Sequence, residues 1–155
     1  MMIIRAADGN DRHPLFTLIE TIDNFTPAEK ELAREVIHDG LASAENGYHI
    51  LVASDGGSSL AGFICYGEIP ITVKRWDLYW IAVAPDMSRC GVGTLLMQAM
   101  EKRLGKGARV YVDTSGTSGY ARARSFYERN GYQVACVFPD FYRAGDDKVV
   151  YSKDI

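Results

Sequence analysis

The sequence predicts one α/β domain of the mixed, layered kind. Its 155 residues are 47% hydrophobic and 24% charged, a composition typical of a chain that buries a core without disulfides or metal. Strand and helix patterns follow the order β-α-α-β-β-β-α-β-α-β-β, with a β-α-β-α-β segment at the centre. The strand Asp77–Val83 is almost continuously apolar, which indicates burial on both faces. Because no repeat or linker divides the chain, we expect a single domain over residues 1–155.

The first half begins with a short strand, Ile3–Ala6, and continues with two helices. Apolar residues at helical spacing predict the first helix over Asp11–Ile22. The second helix is expected to begin at Thr26, which precedes a proline and stands three residues before a glutamate, as in a capping box. It is expected to end near Leu41 and to turn three apolar residues inward: Leu32, Val36 and Ile37.

The second half alternates strands with helices after an initial hairpin. Two β-branched or apolar runs, Tyr48–Ala53 and Leu60–Tyr66, are joined by a turn rich in Ser, Asp and Gly, and they predict that hairpin. The central strand is followed by a helix to about Leu104, with an apolar face of Val92, Leu95, Leu96, Ala99 and Met100. The remaining predicted elements are the strand Ala108–Thr114, the helix Arg122–Asn130, and the strands Tyr132–Phe138 and Val149–Ser152.

Charge and cysteine content exclude several classes of protein. The 17 basic and 20 acidic residues give a formal net charge of -3, and no run of Lys or Arg forms the basic face that nucleic acid requires. The three cysteines, Cys65, Cys90 and Cys136, cannot all pair, which predicts a reduced, cytoplasmic setting. No apolar run has the length of a signal peptide or membrane span, so no membrane partner is expected. The histidines lack metal-ligand spacing, so no metal is predicted.

The most informative stretch runs from Trp80 to Leu96. A buried strand ends there, Pro85 stops it, and Gly91 and Gly93 open an amphipathic helix. Two glycines at this spacing allow a tight turn whose unpaired N–H groups converge at the helix N-terminus, an arrangement that commonly holds phosphate. The stretch lacks the lysine of a Walker loop and the third glycine of the dinucleotide fingerprint.

Two segments resemble motifs of the GNAT superfamily of N-acetyltransferases. Ile81-Ala-Val-Ala-Pro, followed by Ser88-Arg-Cys-Gly-Val-Gly-Thr-Leu-Leu, resembles motif A, whose loop Gln/Arg-x-x-Gly-x-Gly/Ala receives acetyl-coenzyme A. Ala123-Arg-Ser-Phe-Tyr-Glu-Arg-Asn-Gly-Tyr132 resembles motif B. The resemblance implies a mostly antiparallel central sheet with helices on both faces, splayed between the Asp77–Val83 and Ala108–Thr114 strands.

The resemblance also implies acetyl-coenzyme A as the co-substrate. The residues that would hold it are Ile81, Ala82, Val83, Ser88, Arg89, Cys90, Gly91, Val92, Gly93, Thr94, Phe126 and Tyr127. Ser88 stands where the family usually has Gln or Arg, and Arg89 where it often has Gly. Because main-chain amides supply most of the phosphate binding, we expect the loop to keep this role, with Arg89 supplying charge. Arg122, Arg124 or Arg129 on the motif B helix is a candidate for the 3′-phosphate.

Moving an acetyl group from a thioester to an amine requires a neutral amine, a polarised carbonyl and a protonated leaving thiolate. The resemblance implies that Tyr127 is the general acid for the thiolate. For the base, Asp77 stands where some members carry Glu; Glu68, Asp140 or a water chain are the alternatives. Main-chain N–H groups of the Ile81–Val83 segment are the expected donors to the carbonyl. A covalent acetyl-enzyme on a loop cysteine is not favoured, because the pyrophosphate would occupy that position.

Aromatic residues on the central strand and in the C-terminal hairpin predict a flat apolar or cation-accepting pocket, with Asp140, Asp146 or Asp147 attracting an amine. This pattern favours transfer to a primary amine of a small molecule or an amino acid. The alternatives are acetylation of a protein N-terminus or lysine, and a non-catalytic acyl-coenzyme A sensor. Edge strands in the C-terminal half also offer a surface for a homodimer.

Overall fold

The computed structural model describes residues 1–155, and its helices and strands follow the predicted order. They are β1 (Ile3–Ala6), α1 (Arg12–Glu20), α2 (Pro27–Ala42), β2 (His49–Ser54), β3 (Leu60–Glu68), β4 (Arg75–Val83), α3 (Val92–Leu104), β5 (Arg109–Ser115), α4 (Ala121–Arg129), β6 (Gln133–Arg143) and β7 (Asp146–Asp154). The strands form one sheet in the order β1-β2-β3-β4-β5-β7-β6. The β1–β2, β2–β3, β5–β7 and β6–β7 pairs are antiparallel and β4–β5 is parallel, which confirms a mostly antiparallel sheet.

The β4 strand pairs with β5 over only part of its length. The parallel ladder runs from Arg75 opposite Arg109 to Leu78 opposite Val112 and stops there, although β4 continues to Val83. This interruption agrees with the predicted splay between the two strands. The chain forms two compact units: unit 1 comprises Met1–Gly67 and Tyr79–Arg103, and unit 2 comprises Glu68–Leu78 and Leu104–Ile155. A single domain over the whole chain stays a prediction.

In unit 1, the core lies between the two N-terminal helices and one face of the strands. Leu15 and Ile19 of α1, Ile37 of α2 and Phe63 of β3 are fully buried in one cluster. Each such side chain stabilises the fold by about 1.5–3 kcal/mol. The start of α2 follows the predicted local signal, because the Thr26 hydroxyl accepts the Glu29 N–H at 3.1 Å.

For α2 and α3, the prediction of which side chains face the core is partly wrong. Leu32 is 52% exposed, and Ala33 takes its place beside Val36 and Ile37 in the core. On α3, Leu95 is 41% exposed whereas Met97 is fully buried. In both helices the wrong residue lies at the margin of the apolar stripe, where tertiary packing rather than spacing decides which neighbour is covered.

In unit 2, the outer strand β6 is exposed along its whole length. It is longer than the predicted Tyr132–Phe138 because it continues through Pro139, which an edge strand tolerates, and its register against β7 shifts between Phe138 and Arg143. Its exposed large apolar side chains are Val134, Val137, Phe138, Phe141 and Tyr142. A homodimer through this edge stays a prediction.

None of the cysteines is bonded: Cys65 is buried, while Cys90 and Cys136 are exposed. Burial raises the pKa of the Cys65 thiol to about 12, so this thiol stays protonated at neutral pH.

No helix combines the length and apolar character that crossing a membrane requires. No group of three His, Cys, Asp or Glu side chains is placed to hold a metal ion.

Candidate active site

The segment after β4 adopts the backbone conformation that its glycines suggest. Pro85–Met87 forms one 3-10 turn, in which the Met87 N–H donates to the Ala84 carbonyl at 2.8 Å. Two residues further on, Arg89 has φ 67° and Gly91 has φ 77°. Both values are left-handed, a conformation that costs a residue other than glycine about 1–2 kcal/mol. The family's frequent glycine at the Arg89 position therefore has a steric reason, and this chain stores strain in its loop.

The N-terminus of α3 presents unpaired N–H groups. The first helical hydrogen bond runs from the Leu95 N–H to the Gly91 carbonyl at 3.0 Å. The N–H groups of Gly91, Val92, Gly93 and Thr94 have no main-chain acceptor. Four free donors at the positive end of a helix dipole fit the pyrophosphate of a coenzyme.

Ser88 has a different role from the Gln or Arg that it replaces. Its hydroxyl donates to the Pro85 carbonyl at 3.0 Å, so it holds the loop together and is not free to donate to a phosphate. Arg89 and Cys90 are both exposed. The guanidinium of Arg89 makes no ion pair or hydrogen bond within the chain, so it is available to an anion.

The end of β4 turns alternate side chains to opposite faces. Ala82 is 7% exposed and belongs to the unit 1 core, whereas Ile81 and Val83 are half-buried. Ala82 can therefore reach a coenzyme only through its main chain. Gly62 on β3 has a role that the sequence pattern did not predict: a Cβ there would lie 2.7 Å from the Ala82 carbonyl oxygen. A glycine inside a strand pattern is the signal that marks such a close approach.

In unit 2, Asp77 and Tyr127 lie on opposite faces of the sheet. Residues that are paired across neighbouring strands point to the same side of the sheet, and successive residues along one strand point to opposite sides. By this register Asp77 shares a face with Asp113, while Tyr151 points to the other face. Tyr127 on α4 packs on that other face, with its ring centre 5.7 Å from that of Tyr151.

Asp77 has the electrostatic character of a base. Burial first, and the neighbouring Asp113 carboxylate second, raise the pKa of Asp77, while Lys148 lowers it. The carboxylates of the two alternative bases accept hydrogen bonds from main-chain N–H groups. Glu68 accepts the Lys74 N–H at 3.2 Å, and Asp140 accepts the Gly145 N–H at 2.7 Å. The Asp77 carboxylate, whose pKa is raised, makes no such hydrogen bond.

A cation already lies over the aromatic pair of the C-terminal hairpin. The ammonium of Lys148 is 4.4 Å from the ring centre of Phe141, 5.4 Å from that of Phe138 and 3.2 Å from the Asp113 carboxylate. The carboxylates that were expected to attract an amine have other partners. Asp140 holds the hairpin turn, Asp147 accepts the Asp140 N–H at 2.9 Å, and Asp146 is buried against Ser115 and Arg143.

Tyr127 combines a packed ring with a free hydroxyl. The side chain is 7% exposed and contacts Phe126, Tyr132 and Tyr151. Burial raises the pKa of the Tyr127 phenol, so it is protonated at neutral pH. Its hydroxyl makes no hydrogen bond within the chain and keeps some exposure to solvent. Arg124, a candidate for the 3′-phosphate, instead donates at 2.7 Å to each of two carbonyls, those of residues 115 and 117.

Comparison with known proteins identifies the class. The family model of the acetyltransferase (GNAT) domain matches residues 46–134. A crystal structure of a GNAT-family acetyltransferase from Desulfovibrio desulfuricans is 35% identical, with 99% of each chain covered and a TM-score of 0.94. A search of curated proteins gave no significant match.

More distant structures share the fold. The ribosomal-protein-S18-alanine N-acetyltransferase of Escherichia coli is 20% identical over 100% of this chain and 94% of its own, with a TM-score of 0.76. An aminoglycoside 6′-N-acetyltransferase, solved with coenzyme A, is 20% identical over 98% and 96%, with a TM-score of 0.73.

Together, the fold and these matches define an acetyltransferase. The chain belongs to the GNAT family, whose members use acetyl-coenzyme A as the acetyl donor. This membership supports an acetyl-coenzyme A-dependent acetyltransferase.

Proposed function

We propose that the chain transfers an acetyl group from acetyl-coenzyme A directly to the primary amine of a small molecule or an amino acid. The observation that carries this proposal is the face of unit 2 that bears Asp77. There the Lys148 ammonium lies between the Asp113 carboxylate and the rings of Phe138 and Phe141. Because Lys148 is paired with Asp113, the Asp77 carboxylate of the same face, which makes no hydrogen bond, is the group left to attract the ammonium of an acceptor.

Loop and helix residues would hold the coenzyme, which supplies an activated acetyl group and a thiol leaving group when bound. The free N–H groups of Gly91 to Thr94 would bind its pyrophosphate, with the unpaired Arg89 guanidinium adding charge. Main-chain N–H groups of the Ile81–Val83 segment would polarise the carbonyl. Ser88 and Cys90 would shape and flank the loop, and Phe126 would support the ring of Tyr127.

Asp77 would accept the proton of the incoming ammonium, directly or through water. Its raised pKa makes it a better base than an ordinary surface aspartate, because the carboxylate is less stabilised in the protein. Tyr127 would donate to the departing thiolate, and its raised pKa keeps the donor proton in place across the neutral range.

Acetylation of a protein N-terminus or lysine is the second candidate. The specific observation that favours it is the exposed aromatic surface of β6, where Phe138, Phe141 and Tyr142 offer a wall against which a peptide could lie. The Escherichia coli neighbour named above acts on a protein alanine, and the aminoglycoside enzyme acts on a small molecule. The two candidates therefore differ in acceptor size and share the donor chemistry.

The two candidates are separated by initial rates of thiol release with acetyl-coenzyme A and three acceptor sets: small primary amines, free amino acids, and peptides with a free N-terminus or a lysine. The proposal expects kcat/KM at least about tenfold higher for one of the first two sets. Higher kcat/KM for peptides would favour the alternative.

The loop assignment has a matched control. Gly91→Glu places a carboxylate beside the free N–H groups and should weaken coenzyme A binding by about 100-fold or more, because it adds like charge and blocks the donors. Gly47→Glu is the control, since Gly47 also has a positive φ of 85° with open space around it. Equal coenzyme affinity in the two variants would refute the loop assignment.

A further inference from the structure

Unit 1 contains a cavity of about 550 Å³ that the acetyl transfer described above does not use. Three segments line it: one side of α1, the turn between β2 and β3, and the residues that follow β4. A volume of 300–1,000 Å³ is typical of sites for small molecules. All of its walls belong to unit 1, so the cavity does not depend on unit 2.

The polar groups of α1 reach the cavity from a single helical stripe. His13, Thr17 and Thr21 are spaced four residues apart, which places them on one side of the helix, while Leu15 and Ile19 point into the core. Thr21 donates its hydroxyl to a main-chain carbonyl at 2.6 Å. The imidazole of His13 and the hydroxyl of Thr17 make no hydrogen bond within the chain and are free for a ligand.

The facing walls add two carboxylates and two more hydroxyls. Asp86, Ser58 and Ser59 have no hydrogen-bond partner in the chain, and Asp55 uses only one oxygen, which accepts the Gly57 N–H at 2.9 Å. No Lys or Arg lines the cavity. The lining therefore favours a cation and disfavours phosphate, which separates this cavity chemically from the coenzyme loop.

The floor of the cavity is apolar. Leu18, Leu60, Ala61 and Ala84 are each less than 10% exposed and form the surface below the polar rim. An apolar floor with a few converging polar groups is the usual construction of a small-molecule site. It suits a ligand with a carbon skeleton better than a bare metal ion.

We propose that this cavity is a second ligand site, which takes a small organic cation that carries several hydroxyl groups. Its ammonium would lie between the carboxylates of Asp55 and Asp86, its hydroxyls would meet those of Thr17 and the serines of the turn, and its carbon skeleton would cover the apolar floor.

The wall that contains Asp86 continues directly into the coenzyme loop. The Ala84 N–H donates to the Ala61 carbonyl at 2.7 Å, and the Ser88 hydroxyl donates to the Pro85 carbonyl at 3.0 Å. A ligand that fixes Pro85–Met87 is therefore expected to change the affinity for coenzyme A, and coenzyme A must change the affinity for the ligand by the same factor. This expected coupling rests on the proposed function of the loop as the coenzyme site. Binding of the ligand to the cavity does not depend on that proposed function.

The test uses D-glucosamine as a hydroxylated primary ammonium and D-glucose as its uncharged counterpart, without coenzyme, by titration of the amide NMR signals of the full chain. The proposal expects saturable shifts among residues 13–21, 55–61 and 84–87, and affinity for glucose at least about tenfold lower. Shifts confined to unit 2, equal affinity for both sugars, or no saturable shift would each overturn it.

Two variants probe the charged walls. Asp86→Asn and Asp55→Asn should each weaken glucosamine binding about tenfold, and the second keeps the oxygen that accepts the Gly57 N–H. Asp23→Asn, an exposed carboxylate of the same unit outside the cavity, is the matched control and should change nothing. Equal binding by all three variants would overturn the site. With the site saturated, an unchanged coenzyme A affinity would overturn its coupling to the loop.

Discussion

Replacing Tyr127 by phenylalanine separates a catalytic hydroxyl from a structural ring. The ring is buried among Phe126, Tyr132 and Tyr151, and phenylalanine keeps those contacts. The hydroxyl makes no hydrogen bond within the chain, so its removal leaves no partner unsatisfied. We therefore expect the free energy of unfolding to change by less than about 0.5 kcal/mol, as measured by urea denaturation.

The expected loss of kcat follows from the chemistry of the two groups. An unperturbed phenol has a pKa about 1.5 units above that of a thiol, so complete proton transfer to the thiolate is uphill by about 2 kcal/mol. Burial raises the pKa of Tyr127 further, so most of its contribution should come from hydrogen bonding to the developing thiolate. A hydrogen bond to a charged group contributes about 1.5–3 kcal/mol, which corresponds to a loss of kcat of about 10- to 150-fold.

Tyr151→Phe is the matched control, because its hydroxyl donates to Glu128 at 2.9 Å on the same side of the sheet. This variant should lose about 1 kcal/mol of stability and keep kcat within twofold. Because the Tyr127 phenol stays protonated, the effect of Tyr127→Phe should be the same from about pH 6 to 9. A kcat within twofold of wild type in Tyr127→Phe would refute the general-acid role.

Three further perturbations test other features. Arg89→Gly should raise the free energy of unfolding in urea by about 1 kcal/mol, because it relieves a positive φ of 67°; no gain would show that the loop is unstrained. Asp11 is 4% exposed, and its ion-pair partner Arg5 lowers the pKa of its carboxyl. The stabilisation of the fold by this ion pair is therefore fully present above about pH 4, and it is lost as the pH falls through the lower pKa of the folded state. Asp11→Asn should cost about 2 kcal/mol at pH 7 and flatten that acid loss in thermal unfolding, and an unchanged acid profile would contradict it. Lys148→Gln should move the acidic limb of kcat/KM to higher pH and Asp113→Asn to lower pH, because the ammonium lowers and the carboxylate raises the pKa of Asp77; shifts in the same direction would exclude Asp77 as the base.

Features that depend on a few neighbouring residues could be predicted from the sequence. The cap of α2 at Thr26 needs only a hydroxyl, a proline and the N–H three residues later, and the structure has that hydrogen bond. The turn at Gly91 is equally local, because glycine adopts its φ of 77° without steric cost. The order of helices and strands could be predicted for the same reason, because the patterns that indicate each element also lie within a few neighbouring residues.

Features set by strand register could not be predicted in this way. Asp113 and Lys148 are far apart in the chain, and they meet because β5 and β7 pair with a particular register. The same register explains why Asp146 is buried instead of facing an amine. The length of β6 depended on its place at the edge of the sheet, where Pro139 removes no ladder hydrogen bond that a neighbour needs.

Direct transfer to a small primary amine is tested most directly by following both products of one reaction. Enzyme, acetyl-coenzyme A and the best amine of the panel are mixed, free thiol is measured, and the amine and the intact protein are weighed by mass spectrometry. The account predicts one acetylated amine for each thiol released, with no acetyl group on the protein. Thiol release without acetylated amine, or an acetyl group on Cys90 that passes to the amine, would contradict it.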